Sequence, residues 1–84
     1  MPDFDFDFDI GDIVGYVLPD GRSAGDVRPA IILRVWARDN GCSNLQVFTD
    51  GDNDYPGTDG LLWATSILYD ADKQPGTWHL LERD

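Results

Sequence analysis

The sequence predicts an all-β protein, a small SH3-like antiparallel barrel of about five strands over residues 11–84, preceded by an acidic Phe-Asp β-arm at residues 1–10. Three observations carry this prediction. Apolar residues recur with period two in short runs, Gly and Pro stand at the reversals between the runs, and no stretch follows the 3.6-residue period of a helix.

In the arm, Phe4, Phe6, Phe8 and Ile10 alternate with Asp3, Asp5, Asp7 and Asp9. Asp is a poor strand former, so this segment holds as a strand only where its Phe face finds an apolar surface. That surface is either the body of the domain or a neighbouring subunit, and Phe4, Phe6 and Phe8 are therefore candidates for oligomer contact. The domain proper opens at Gly11 to Leu18, with Ile13 and Val17 on one side and Val14, Tyr16 and Leu18 on the other. Gly15 marks an expected bend or bulge. Pro19-Asp20-Gly21 is a reversal, because Pro presets φ at a turn's second position and Gly supplies positive φ later. Arg22 to Asp26 continues as a loop.

Arg28 to Arg38 is the central strand, around which the rest is arranged. Strict alternation assigns Ile31, Leu33, Val35 and Ala37 to the core and Ile32, Arg34, Trp36 and Arg38 to the outside. Asp39-Asn40-Gly41 reads as a hairpin turn. Asn44 to Thr49 then runs back, adding Leu45 and Val47 to the core and placing Gln46 and Phe48 on the outer face beside Arg34 and Trp36. A long acidic loop, Asp50 to Gly60, follows. Leu61 to Tyr69 is extended with a kink near Ser66, Pro75-Gly76 closes the next turn, and Thr77 to Leu81 is the last strand.

Eighty-four residues make one domain with a small core. The single Cys42 cannot close an intrachain disulfide, and no CxxC or Cys/His cluster offers a zinc site. Three Trp, four Phe and three Tyr supply apolar area, and a homo-oligomer would supply more. The formal charge is -10, from sixteen acids, fifteen of them Asp, against six bases. That balance argues against direct nucleic-acid binding, which depends on clustered Lys and Arg. No apolar run reaches membrane-spanning length, and the first ten residues lack the basic start and apolar middle of a secretory signal, so a cytosolic chain without membrane contact is expected.

The order of Tyr16-Val17-Leu18-Pro19-Asp20-Gly21, Arg28-Pro29-Ala30-Ile31, Arg34-Val35-Trp36, Leu45-Gln46-Val47-Phe48-Thr49-Asp50-Gly51, Trp63-Ala64-Thr65-Ser66 and Pro75-Gly76-Thr77-Trp78-His79 resembles a group of small bacteriophage and environmental viral proteins. The resemblance implies a viral origin, a compact β module and residence in the host cytoplasm or the virion. It brings no activity with it. The Phe-Asp repeat and the Ser23 to Val27 segment depart from that shorter pattern.

Catalytic sets are not evident. His79 is the only histidine, and neither Ser43 nor Ser66 sits in a nucleophile elbow. Asp50, Asp52 and Asp54 match positions one, three and five of a calcium loop, but Tyr55 stands where the loop needs Gly and Leu61 where it needs a bidentate Glu. The expectation is no enzyme, no cofactor and no resident metal. What remains is a ligand- or partner-binding constellation of Arg34, Trp36, Asn53, Tyr55, Trp63, Thr65, Trp78 and His79, since Trp and Arg together form binding hot spots. One or two of the three Trp are expected to close the ends of so small a core. The function expected is a non-enzymatic binding protein that occupies a host protein or sequesters a small signalling molecule such as a nucleotide. The alternatives are a virion decoration component docked through the Phe arm and an acidic mimic of nucleic acid.

Overall fold

A computed structural model describes residues 7–81. Its elements are β1 (Ile13–Val17), β2 (Val27–Ala37), β3 (Cys42–Phe48), the single helical turn α1 (Gly51–Asp54), β4 (Leu61–Ile67) and β5 (Trp78–Leu80). They form one five-stranded antiparallel sheet in the order β4-β3-β2-β1-β5. The all-β, five-strand architecture is the one the alternation predicts. Phe4 and Phe6, and with them most of the expected arm, lie outside the described residues.

The sheet curls without closing. β4 and β5 are its two edges, and between them runs only an isolated parallel bridge, Tyr69 to Trp78. Two backbone hydrogen bonds support that bridge, from Trp78 N–H to the Leu68 carbonyl (3.0 Å) and from Asp70 N–H to the Trp78 carbonyl (2.9 Å). The kink that lets the chain turn towards β5 is at Ser66, whose φ is 58°.

The concave face holds the core: Phe8, Val14, Tyr16, Leu18, Ala30, Ile32, Leu45, Val47, Ala64 and Trp78. Burying each large aliphatic side chain there contributes roughly 1.5–3 kcal/mol. Val14, Tyr16 and Leu18 fill the face expected of them, as do Leu45 and Val47. The central strand does not follow its expected phase. Ala30 and Ile32 point inward, Leu33 is 43% exposed, and Val35 returns to the core. The register with β3 slips twice, between Ile32 and Arg34 and again between Val35 and Ala37, and the first slip, an extra residue at Leu33, inverts the side-chain parity of the strand there. Arg34 and Trp36 face outward as expected, whereas Ile32 belongs to the core and Ile31 and Leu33, both expected there, do not.

Two further expectations change. Gly15 is no bulge, for its pairing with Pro29 and His79 is continuous. Its missing side chain makes room for the His79 ring, because a Cβ there would lie 2.8 Å from Nε2. Phe8 is not a subunit contact but a core residue, its ring 5.2 Å from that of Trp78. Residues 7–10 form no strand. Instead, Arg38 holds them down, donating to the Phe8 carbonyl (2.7 Å) and to Asp9 Oδ1 (3.1 Å). The Asn40-Gly41 turn is pinned from below by Trp78, whose indole N–H donates to the Gly41 carbonyl at 2.9 Å.

Candidate recognition face

No acidic residue occurs within the five strands, although the chain carries sixteen. On the convex face this leaves apolar and neutral side chains in adjoining rows. The Cα register aligns Ile13, Ile31, Gln46 and Trp63 in one row, and beside it pairs Gly15 with Pro29 and Phe48 with Leu61. Ile13, Phe48, Leu61 and Trp63 are all exposed there. A single exposed Leu needs no explanation, but a contiguous apolar sheet face does.

A fixed aromatic stands at the β3 hairpin end of this face. The Arg34 guanidinium lies 4.1 Å above the Trp36 ring, a cation–π distance. Trp36 Nε1 donates to Asn44 Oδ1 at 2.9 Å. The same oxygen accepts from the Ser66 backbone N–H (2.9 Å) and the Thr65 hydroxyl (2.8 Å). An indole and a backbone amide can only donate, so the orientation of the Asn44 amide follows from its partners. Asn44 is itself buried and ties β2 to β4 across β3. It also satisfies the backbone at the left-handed Ser66. Trp36 therefore remains 52% exposed while its ring is held from two sides. Gln46 lies two positions from Asn44 on the same strand face, roughly 7 Å on, and Trp63 flanks it at 59% exposure.

Four of the eight predicted site residues, Arg34, Trp36, Trp63 and Thr65, thus share one face. The other four do not join them. Trp78 is wholly buried and edge-on to Tyr69, with centroids 5.0 Å apart. His79 is on the outer side but buried over Gly15, where Val27 and Leu81 also crowd. Asn53 and Tyr55 belong to the acidic loop, which covers the opposite, concave side: Tyr55 packs on the core, and its hydroxyl donates to Asp20 Oδ1 at 2.8 Å. Burial, and then the Asp20 hydrogen bond, push the Tyr55 phenol up to about 12. Asn53 Nδ2 donates back to Asp50 Oδ2.

The same loop contains a pair that the sequence reading missed. Arg28 Nε and Nη2 donate to the two oxygens of buried Asp54, at 2.7 and 2.9 Å, and the Asp50 amide donates to Oδ2 at 2.7 Å. The guanidinium first, then the Ser23 side chain and the Asp50 amide, hold the Asp54 carboxyl well below the usual carboxylate range. The three aspartates with calcium-loop spacing are turned to other partners: Asp54 to Arg28, Asp52 to the Gly57 amide, Asp50 to Asn53. Among the described residues no three His, Cys, Asp or Glu side chains gather as a metal site, and no helix is long and apolar enough to cross a membrane.

Asn44 was also missed. Its only signal in the sequence is a pair of polar residues, Ser43-Asn44, ahead of an alternating strand. Comparison of the chain with protein-family models, with curated proteins and with solved structures finds no match in any of the three.

Proposed function

We propose that the protein is a non-enzymatic recognition module whose convex sheet face docks on another protein. The observation that carries this reading is the exposure of Trp36 and Trp63 on one acid-free apolar face, with Trp36 already held by Arg34 and Asn44. A ring fixed before contact loses little rotamer freedom on binding, which is what distinguishes an anchor from an incidental surface residue. The face is broad, since five strands at a spacing of about 4.8 Å span roughly 19 Å. Small-molecule sites are concave, so a macromolecular surface fits this face better than a nucleotide does. Among the described residues the acids lie outside the strands, in the segments that border the sheet, and they favour a partner with an apolar centre and a basic rim. The likeness to small viral proteins has no counterpart among the comparisons and carries no weight in this reading.

The test is a display selection for binders, followed by isothermal titration of the selected protein against variants. Trp36→Ala and Trp63→Ala should each weaken binding by about thirtyfold, the size of a hot-spot loss near 2 kcal/mol. Asn53→Ala, on the loop that covers the concave side, should leave binding unchanged. Affinity that falls with Asn53→Ala and ignores both tryptophans would overturn the proposal.

A further inference from the structure

We infer that a second copy of this chain adds to the open β4 edge across a two-fold axis at Trp63, joining two five-stranded sheets into one. The inference is independent of the recognition reading and rests on the backbone. Thr49 N–H donates to the Gly60 carbonyl at 2.8 Å, which fixes the alternation along the β3–β4 ladder. Gly60, Leu62 and Ala64 bond towards β3, so Leu61, Trp63 and Thr65 turn their backbone groups to the free edge. The Leu61 N–H is met by the Thr58 carbonyl (3.0 Å). Among the described residues, no strand neighbours the Trp63 N–H and C=O on that side.

Soluble sheets blunt such edges with Lys, Pro or inward-pointing charge. β4, Leu-Leu-Trp-Ala-Thr-Ser-Ile, has none of these. Its uncharged length is notable in a chain of formal charge -10, and it decides the occupant. An antiparallel pairing centred on Trp63 sets Trp63 against Trp63, Leu61 against Thr65 and Asp59 against Ile67, so no acid meets an acid across the seam. The two Trp63 residues exchange both backbone hydrogen bonds, and each Thr65 N–H faces a Leu61 carbonyl. Side chains of Leu61, Trp63 and Thr65 from both copies then lie on one continuous convex face, and the exposed Trp63 ring stacks on its symmetry mate. Registers centred on Leu61 or Thr65 pair less of the strand, because the chain turns at Gly60 and kinks at Ser66.

Sedimentation velocity on the full chain tests this. A species of twice 9.4 kDa, 18.8 kDa, is expected, and added salt should strengthen it because it screens repulsion between two acidic bodies. Trp63→Pro removes an N–H that none of the described residues accepts, and should weaken association by about tenfold to a hundredfold, the loss of one edge hydrogen bond per copy. Far-ultraviolet circular dichroism verifies that the variant is folded. Trp63→Cys in a Cys42→Ser background keeps the strand and should form an intermolecular disulfide with oxidised glutathione, since directly opposed Cα atoms in a hydrogen-bonded pair stand about 5.5 Å apart, within disulfide range. Leu68→Cys in the same background should not. A wild-type chain that stays monomeric, including one that instead takes up a foreign extended peptide, overturns the inference. So does a dimer indifferent to Trp63→Pro, or a Trp63→Cys chain that does not cross-link. Trp36→Ala leaves the β4 edge intact, so a Trp36→Ala dimer that binds the partner protein as tightly as the wild type fails the recognition reading alone, and a wild-type monomer that binds it through the tryptophans fails this one alone.

Discussion

Arg28 and Arg34 stand on the same strand an even number of positions apart, yet they serve opposite faces of the sheet. Arg28 reaches to the concave side, where it closes on buried Asp54 and fixes the acidic loop over the core. Arg34 lies on the convex side over an indole that stays open to solvent. The slip at Leu33 separates them, because one inserted residue inverts which side of a strand each later side chain takes. The difference shows how a strand of one composition can be structural at one end and available for contact at the other. The pairing decides which; the residue type does not.

Breaking the concave side should give the largest effects. Trp78→Ala empties a fully buried ring volume, removes the tie to the Gly41 carbonyl and strips Phe8 and Tyr69 of their aromatic neighbour. A loss of about 3–5 kcal/mol is expected in urea unfolding, enough to unfold a small domain. The joint between the faces comes next. Asn44→Ala leaves the Trp36 indole N–H and the Ser66 amide without their acceptor and should cost about 1–3 kcal/mol. Because Trp36 then swings free, partner affinity should fall along with stability.

The loop on the concave side should show its character in pH. The Tyr55 phenol titrates higher in the folded chain than in the unfolded one, so its contribution is full below the ordinary tyrosine range near 10 and is lost as pH rises towards about 12. Unfolding midpoints should therefore fall less steeply above pH ~10 in Tyr55→Phe than in the wild type. Asp54 has the opposite sign. Its carboxyl is held low, so its contribution is full above the ordinary carboxylate range near 4 and fades as pH falls through the depressed value. Arg28→Ala should abolish that acid resistance and lower the midpoint at neutral pH. The smallest effect belongs to the convex side, where Arg34→Ala should change stability by no more than about 0.5 kcal/mol. A large loss there would erase the contrast between the two arginines.

Much of the architecture was legible because its signals are local. Period-two runs marked the strands, Asn40-Gly41 and Pro19-Asp20-Gly21 marked reversals, and Val14, Tyr16, Leu18, Leu45 and Val47 took the face their alternation required. The Leu33 bulge was not legible, since it is set by the register with β3 and leaves no mark on β2 itself. That single residue misassigned Ile31, Ile32 and Leu33. The Arg28–Asp54 pair joins positions 26 apart, and neither residue carries a local sign of burial. Of the candidate site, the outward direction of Arg34 and Trp36 was legible from alternation, whereas the exposure of Trp63 was not, since each Trp could as well have closed the core. Phe8 and Trp78 took the core alternative left open for them, a choice not legible beforehand because an aromatic ring looks the same in sequence whether it fills a core or faces a partner. Asn44, on which the exposed cluster turns, is recognisable only once three donors from two strands and an indole converge on it.

The three tryptophans allow a direct trial of the recognition reading in one spectrum. Each indole N–H gives its own resonance in a nitrogen-15 correlation experiment, and titration with a selected protein partner reports on all three at once. Recognition through the convex face predicts that the Trp36 and Trp63 signals move or broaden as partner is added while Trp78 stays fixed. Partner binding that leaves Trp36 and Trp63 unmoved would contradict it.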